Sequence, residues 1–217
     1  MGRASFNKQL SELHAALIDM GCVIEAAIEQ ASIAFKTHNL DLCKLIIEGD
    51  HAVNEMEKSI ESKCLWLIAR EQPVASDLRK ITTALKIITD MERIGDHAVD
   101  IAQITLRQNN AFSGSVHIPQ MAAAAIDMVR DAIKAYVNHD MSMAEVTAAK
   151  DDIVDDYFRQ IKGELVTVFR EQPEYIDSAI DLLLIAKYLE RIADHAVNIC
   201  EWVCFSQTGK HKKTLIF

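Results

Sequence analysis

The chain has 217 residues and a formal net charge of −9, and half of its residues are hydrophobic. This acidic balance argues against nucleic-acid binding, which normally uses a basic surface. No uninterrupted run of 18 apolar residues is present, so no transmembrane helix is predicted. The first eight residues lack the apolar segment of a signal peptide, so we expect a cytoplasmic protein.

Breakers and caps divide the chain into six predicted helices, over residues 4–37, 40–71, 74–108, 119–138, 141–171 and 174–206. Asn39 and Asp140 are candidate N-caps of the second and fifth helices. Pro73 and Pro173 stand where the third and sixth helices should begin. The stretch 109–115 contains the Gly and Ser residues that are typical of a connection between two halves.

The sequence is internally duplicated. The octapeptide 92–99 returns with one change at 190–197, and Arg-Glu-Gln-Pro occurs at 70–73 and again at 170–173. Short connections favour antiparallel neighbours. We therefore predict an all-α fold of two tandem antiparallel three-helix bundles, over residues 1–110 and 111–217. The second ends in a short basic tail, residues 210–213, which we expect to be solvated.

The five cysteines are odd in number and include no Cys-x-x-Cys pair. This pattern indicates neither a disulfide framework nor a zinc knuckle. Free cysteine behaves as a small hydrophobic residue, so we expect buried thiols.

Acidic residues interrupt the apolar face of the third and sixth helices. Glu92 and Asp96 fall on the stripe formed by Ile81, Leu85, Ile88 and Val99, and Glu190 and Asp194 fall on that of Ile176, Ile180, Leu183 and Val197. The preceding helices carry Asp50 and Asn54, and Asp151 and Asp155, at the same spacing of four. A buried ionised carboxylate needs a partner, a proton or a metal.

Antiparallel pairing places these residues opposite one another. The pairs Asp50 with Asp96 and Asn54 with Glu92 share a midpoint at residue 73. The pairs of 151 with 194 and of 155 with 190 share one near 172.5. Both midpoints lie at the proline-marked turns, so each half should hold its four oxygen-bearing side chains at one height.

Such a set suits hard or borderline divalent and trivalent cations. Asp100, one turn after Asp96, would widen the first site, although its counterpart is Asn198. His97 and His195 are turned away from the stripe and are more readily explained as solvated or hydrogen-bonded imidazoles. In the competing interpretation, basic residues such as Arg79, Arg93 and Arg191 neutralise the acids through interhelical ion pairs. Asn54 leaves the first site with less charge.

Three segments together, 48–54, 72–79 and 92–96, with their echo in the second half, resemble the PhoU family of phosphate-specific transport system accessory proteins. The resemblance extends from about Phe6 to Trp202. It implies two three-helix bundles whose Glu/Asp-x-x-x-Asp motifs hold multinuclear iron clusters or other metals such as zinc, manganese or magnesium. Those motifs map to Glu92/Asp96 with Asp50/Asn54, and to Glu190/Asp194 with Asp151/Asp155. Asn54 departs from the acidic pattern, and residues 177–179 depart from the Asp-Leu-Arg of the first half.

The resemblance also implies a function. Such proteins restrain phosphate uptake and the phosphate-starvation (Pho) regulon by linking the ATPase and permease of a phosphate ABC transporter to a sensor histidine kinase. They are not enzymes, they dimerise, and they reach the membrane only through protein partners. A regulator of a different phosphate carrier, or of metal homeostasis or persistence, is the alternative. A di-iron enzyme is disfavoured, because Gly95 and Ala193 stand where a Glu-x-x-His motif needs histidine. The sequence contains no evident phosphate site.

Overall fold

The computed structural model describes residues 3–108, 117–211 and 214–215. Within these ranges the chain forms seven α-helices, one 3₁₀ turn and one short hairpin. They are α1 Arg3–Thr37, α2 Leu40–Glu71, α3 Ala75–Arg107, α4 Ile118–Asn138, α5 Met141–Ala148, α6 Asp151–Glu171, the 3₁₀ turn Pro173–Tyr175, α7 Ile176–Thr208, β1 Lys210–His211 and β2 Thr214–Leu215. The strands pair antiparallel. None of the described helices is both long enough and apolar enough to span a bilayer.

Local chemistry sets most helix ends where they were predicted. The Asn39 side chain accepts a hydrogen bond from the backbone N–H of Leu42 at 3.0 Å, and Asp140 accepts one from that of Met143 at 2.9 Å. Each cap satisfies an N–H that has no partner inside the helix. Both predicted N-caps are therefore confirmed.

The predicted fifth helix is wrong in one respect, because it is interrupted at Ala149 and Lys150. The N–H of Lys150 bonds to the carbonyl of Thr147, and that of Ile153 to the carbonyl of Lys150. These bonds span three residues in place of four, which tightens the chain locally. The Lys150 ammonium lies 2.6 Å from Asp131 of α4, so a contact between helices accompanies the break.

The helices form two three-helix units, α1–α3 and α4–α7, with α5 and α6 counted together as the interrupted middle helix of the second. The units pack together through α3 against α7 and α1 against α4. Buried residues of both units join in one hydrophobic cluster. Across the contact of α4 with α1, Arg130 of α4 forms ion pairs with Glu25 at 2.5 Å and with Glu29 at 2.6 Å. The predicted linker and the boundary between 110 and 111 lie outside the described residues.

Two expectations about exposed and buried faces are wrong. Ile81 and Ile88 are buried as predicted, but Ile176 and Ile180 are 37% and 44% exposed. The first turns of α7 therefore leave part of their apolar stripe uncovered. His211 is not a solvated tail residue, because its ring stacks on Trp202 with a centroid separation of 3.9 Å. Residues 212–213 of the basic tail lie outside the described part of the chain.

The cysteines are mostly buried, as expected. Cys43, Cys64 and Cys200 lie in the core, and Cys204 is half-buried. Burial raises the pKa of the Cys64 and Cys200 thiols to about 12. Cys22 is exposed, so the expectation of burial is wrong for that residue.

Candidate metal centres

The first acidic group lies along the seam between α2 and α3. Asp50, Glu92 and Asp96 are half-buried there. Burial raises the pKa of Glu92, and the charges of Asp96, Glu57 and Asp50 raise it further. Burial likewise raises the pKa of Asp96, followed by the charge of Asp50. The acids of the two helices are therefore close enough for their charges to interact, at a flank that is partly open to water.

Asp50 has one satisfied and one unsatisfied oxygen. The Asn54 side-chain amide donates to Asp50 Oδ2 at 2.8 Å. Asp50 Oδ1 is buried and has no hydrogen-bond partner among the described residues. A buried carboxylate oxygen without a partner is unfavourable, so this atom is available to a ligand.

Glu57 also belongs to this group, although it was not among the predicted ligands. It is half-buried on α2, and the pKa of its carboxyl is raised by burial first and also by the charge of Asp96. The available signal was its spacing of seven from Asp50, which returns a helix to nearly the same face. The first group thus holds four carboxylates despite Asn54, while the charge of Asp152 also acts on Asp151 in the second. The lower charge of the first group stays a prediction.

The second acidic group lies between α6 and α7. Burial raises the pKa of Asp151 to about 6, and the charges of Asp155, Asp194 and Glu190 contribute to that rise. Asp151 Oδ1, like its counterpart in the first group, is buried without a hydrogen-bond partner among the described residues. Asp155 itself is exposed, at the outer edge of the group.

Basic residues pair with several of these acids along the same helix. Arg93 lies 3.0 Å from Asp96 and 3.4 Å from Glu92. Arg191 lies 3.5 Å from Asp194, and Lys187 pairs with Glu190. These ion pairs are intrahelical, whereas the competing interpretation required interhelical ones. Arg93 and Arg191 are more than half exposed, and such pairs contribute little to stability.

The side chains do not converge fully on a common point. Within the described residues, no three or more His, Cys, Asp or Glu side chains are close enough to hold one metal ion. Each group nevertheless has four carboxylates and one buried unpartnered oxygen. This donor set suits a hard or borderline cation.

His97, His195 and Asp100 lie elsewhere, where α3 meets α7. The His97 and His195 rings are 5.7 Å apart, and Asp100 Oδ2 lies 3.3 Å from His97 Nδ1. His195 Nδ1 donates to Asp90 at 2.8 Å. The expectation of hydrogen-bonded imidazoles is confirmed. Asp100 contacts His97 one turn away on the same helix, so the proposed ligands do not include it.

The two units match a known domain twice. The PhoU domain model matches residues 17–105 and 118–203. The chain belongs to the PhoU family. Each PhoU match falls on one three-helix unit, which confirms the tandem all-α fold implied by the duplicated motifs.

Relatives match the PhoU chain along most of its length. The PhoU homologue of Clostridium acetobutylicum is 37% identical over 97% of both chains. The Escherichia coli protein is 33% identical over 94% of this chain and 86% of its own. Both are named phosphate-specific transport system accessory proteins.

Solved PhoU structures show the same fold. The protein from Streptococcus pneumoniae, described as a phosphate transport system regulatory protein, superposes with a TM-score of 0.90 at 30% identity over 95% of this chain and 98% of its own. The protein from Pseudomonas aeruginosa gives 0.91 at 32% identity, over 94% and 100% respectively.

Proposed function

We propose that this protein is a cytoplasmic, non-enzymatic regulator of phosphate transport. It restrains uptake by a phosphate ABC transporter and damps the phosphate-starvation response by linking that transporter to a sensor histidine kinase. The observation that carries the proposal is the match, over 97% of both chains, to a relative named as an accessory protein of phosphate-specific transport. Long helical faces also suit docking to partner helices.

Metal binding is the second part of the proposal. Asp50, Glu92 and Asp96 hold a cation in the first unit, with Glu57 and the Asn54 carbonyl as further ligands. Asp151, Asp155, Glu190 and Asp194 hold one in the second. A bound iron, zinc, manganese or magnesium ion would supply positive charge that offsets the mutual repulsion of these carboxylates. The buried unpartnered oxygens of Asp50 and Asp151 support this role.

Elemental analysis of the untagged protein, purified without chelators, tests the metal sites. The comparison is with a Glu92→Gln/Glu190→Gln variant, and with a control, Glu55→Gln/Asp156→Asn, that removes one exposed carboxylate from each unit. We expect near-integer metal content in the wild type and the control, and loss in the first variant with helicity retained. Equal metal content in all three proteins, or none in any after reconstitution, would refute the metal sites.

Complementation tests the regulatory role. In a bacterial host that lacks its own PhoU, expression of this protein should lower radiolabelled phosphate uptake and repress a starvation-responsive reporter in phosphate-rich medium. Co-purification should recover the transporter ATPase and the kinase. Sedimentation of the purified chain tests the proposed homodimer. Normal expression with unchanged uptake and unchanged reporter activity would contradict the regulatory proposal, whatever the metal content.

A further inference from the structure

A pocket of about 240 Å³ lies where four helices from both units come together. Its walls come from the beginning of α1, the beginning of α3, and the ends of α4 and α7. Thr83, in its wall, precedes Glu92 by nine residues on α3, which corresponds to about 14 Å along a helix axis. The pocket is therefore separate from the acidic groups.

Cationic and imidazole groups converge on this pocket. His14 of α1 and His139 at the end of α4 have ring centroids 5.6 Å apart. Burial lowers the pKa of His14, and the charges of His139 and Lys80 lower it further. None of the described residues that line the pocket is acidic. In a chain with a net charge of −9, the Lys80 ammonium, with no carboxylate in the described lining, favours an anionic ligand.

A buried hydroxyl in the wall is also without a partner. Thr83 is fully buried, and its Oγ1 forms no hydrogen bond among the described residues. Other threonines of the same helix behave differently, since Thr105 donates to the Ile101 carbonyl one turn earlier, at 2.8 Å. Buried hydroxyls are normally hydrogen-bonded. The Thr83 hydroxyl is thus left available to a ligand in the pocket.

At the other end of the same four helices, the described residues form a smaller and more apolar cavity. The cavity there measures only about 10 Å³ and is lined mainly by apolar side chains, among them Ile28, Phe35, Ile118 and Ile185. Among the described residues, the two ends of the duplicated structure therefore differ in the size and polarity of their cavities. A ligand of this pocket binds once per chain, whereas ligands of the acidic groups bind twice.

We propose that this pocket binds one small phosphate-type oxyanion, either inorganic phosphate or the phosphate group of a phosphomonoester. Lys80 supplies a fixed positive charge, the two imidazoles supply N–H donors, and Thr83 supplies a buried hydroxyl donor. Charge-assisted hydrogen bonds of this kind recognise phosphate oxygens. The volume leaves room for an ester substituent beside the phosphate. The inference stands apart from the regulatory proposal, because it concerns binding to the isolated chain.

The test is a titration of the full-length protein with inorganic phosphate at constant ionic strength. Calorimetry gives affinity and stoichiometry, and proton NMR follows the His14 and His139 imidazole signals. A bound dianion favours imidazolium, so we expect the pKa of His14 to rise on binding. We expect one site per chain. Lys80→Gln should bind roughly tenfold more weakly, because a charge-assisted hydrogen bond is lost, and Thr83→Val should also weaken binding.

His38 provides a matched control for His139. Both histidines follow the last turn of a helix in the left-handed conformation, with φ of 48° and 52°, and Asn tolerates that conformation. His139→Asn should therefore weaken phosphate binding, whereas His38→Asn should leave it unchanged. Equal loss in both variants, two sites per chain, or unmoved His14 and His139 signals at millimolar phosphate would overturn the proposal.

A parallel titration with glycerol phosphate distinguishes the two sources of the ligand. Binding at least tenfold tighter than that of inorganic phosphate, with the same loss in Lys80→Gln, identifies a phosphomonoester. Tighter binding of inorganic phosphate identifies the free anion. Failure of both titrations refutes the pocket's role while leaving the uptake and reporter results intact.

Discussion

Replacing Asp151 by Asn should stabilise the metal-free protein at pH 7.5. The fold raises the pKa of this carboxyl from 3.8 to about 6, so the folded state disfavours the charged form. Each pKa unit corresponds to about 1.36 kcal/mol. Because Asp151 is only half-buried, solvent screening reduces the effect, and we expect a gain of about 1–2 kcal/mol. Because the pKa of Asp151 is higher in the folded than in the unfolded protein, the full loss of stability applies above pH 6. That loss disappears as the pH falls towards 3.8.

Urea unfolding followed by circular dichroism measures this gain. Chelator-treated Asp151→Asn should have a higher urea midpoint than the wild type at pH 7.5, and the difference should shrink by pH 4.5. Asp156→Asn is the control, since this nearby carboxylate is exposed and 59% accessible at its side chain. Surface changes of that kind usually alter stability by less than about 0.5 kcal/mol.

Added metal should reverse the order of stability of the wild type and Asp151→Asn. At a free metal concentration of 100 times the dissociation constant, each occupied site adds about 2.7 kcal/mol to the free energy of unfolding. The wild type gains this at both sites, whereas Asp151→Asn should gain it only at the first. A lower stability of metal-free Asp151→Asn at pH 7.5, or an equal metal-induced gain in both proteins, would refute the reasoning.

Three further predictions concern packing, pH and thiol chemistry. Gly21→Ala places a methyl group 3.1 Å from the Ile133 side chain and should lower the free energy of unfolding by about 1 kcal/mol, net of the helix-propensity gain. Gly163→Ala, with no atom within 4 Å, should raise it by about 0.5–1 kcal/mol. Shifts of the urea midpoint in the same direction for both variants would contradict this. Burial lowers the pKa of His97, so the fold favours the neutral imidazole. The free energy of unfolding should therefore fall as the pH drops below about 6.5. In His97→Gln, the free energy of unfolding should depend less on pH between pH 7.5 and 5. Cys22 is exposed, so a thiol reagent should react with it first in the native protein. A rapid phase of reaction that persists in Cys22→Ser would contradict this and show that another thiol is readily accessible.

Helix limits were predictable where short-range chemistry decides them. Asn39 and Asp140 cap their helices with their own side chains, so the signal lies within four residues of sequence. The interruption at Ala149 and Lys150 was not predictable in this way. Both residues favour helix, and the break accompanies the contact of Lys150 with Asp131 on another helix.

The proximity of the acids on neighbouring helices was predictable, because in an antiparallel pair the distance of each residue from the turn fixes its height along the bundle. The flank of α3 that contacts the other unit was not predictable, since each unit alone permits several docking faces. The bond from His195 on α7 to Asp90 on α3 depends on that docking. The pocket around Lys80 is assembled from four helices of both units, so no local pattern indicates it.

The two acidic groups show how the duplicated halves differ in the placement of one acid. The second has an acid, Asp155, at the position where the first has Asn54. The first instead has Glu57, whose counterpart in the second is Phe158, packed below the Lys187 ammonium at 5.6 Å from the ring centroid. An acid thus stands about one turn further along α2. Burial and neighbouring charges raise the pKa of Glu57, Glu92 and Asp96 in the first seam and of Asp151 in the second. Since raised pKa values cost stability at neutral pH, retention of the full acidic set in both halves is more easily explained by a cation that binds there than by helix packing alone.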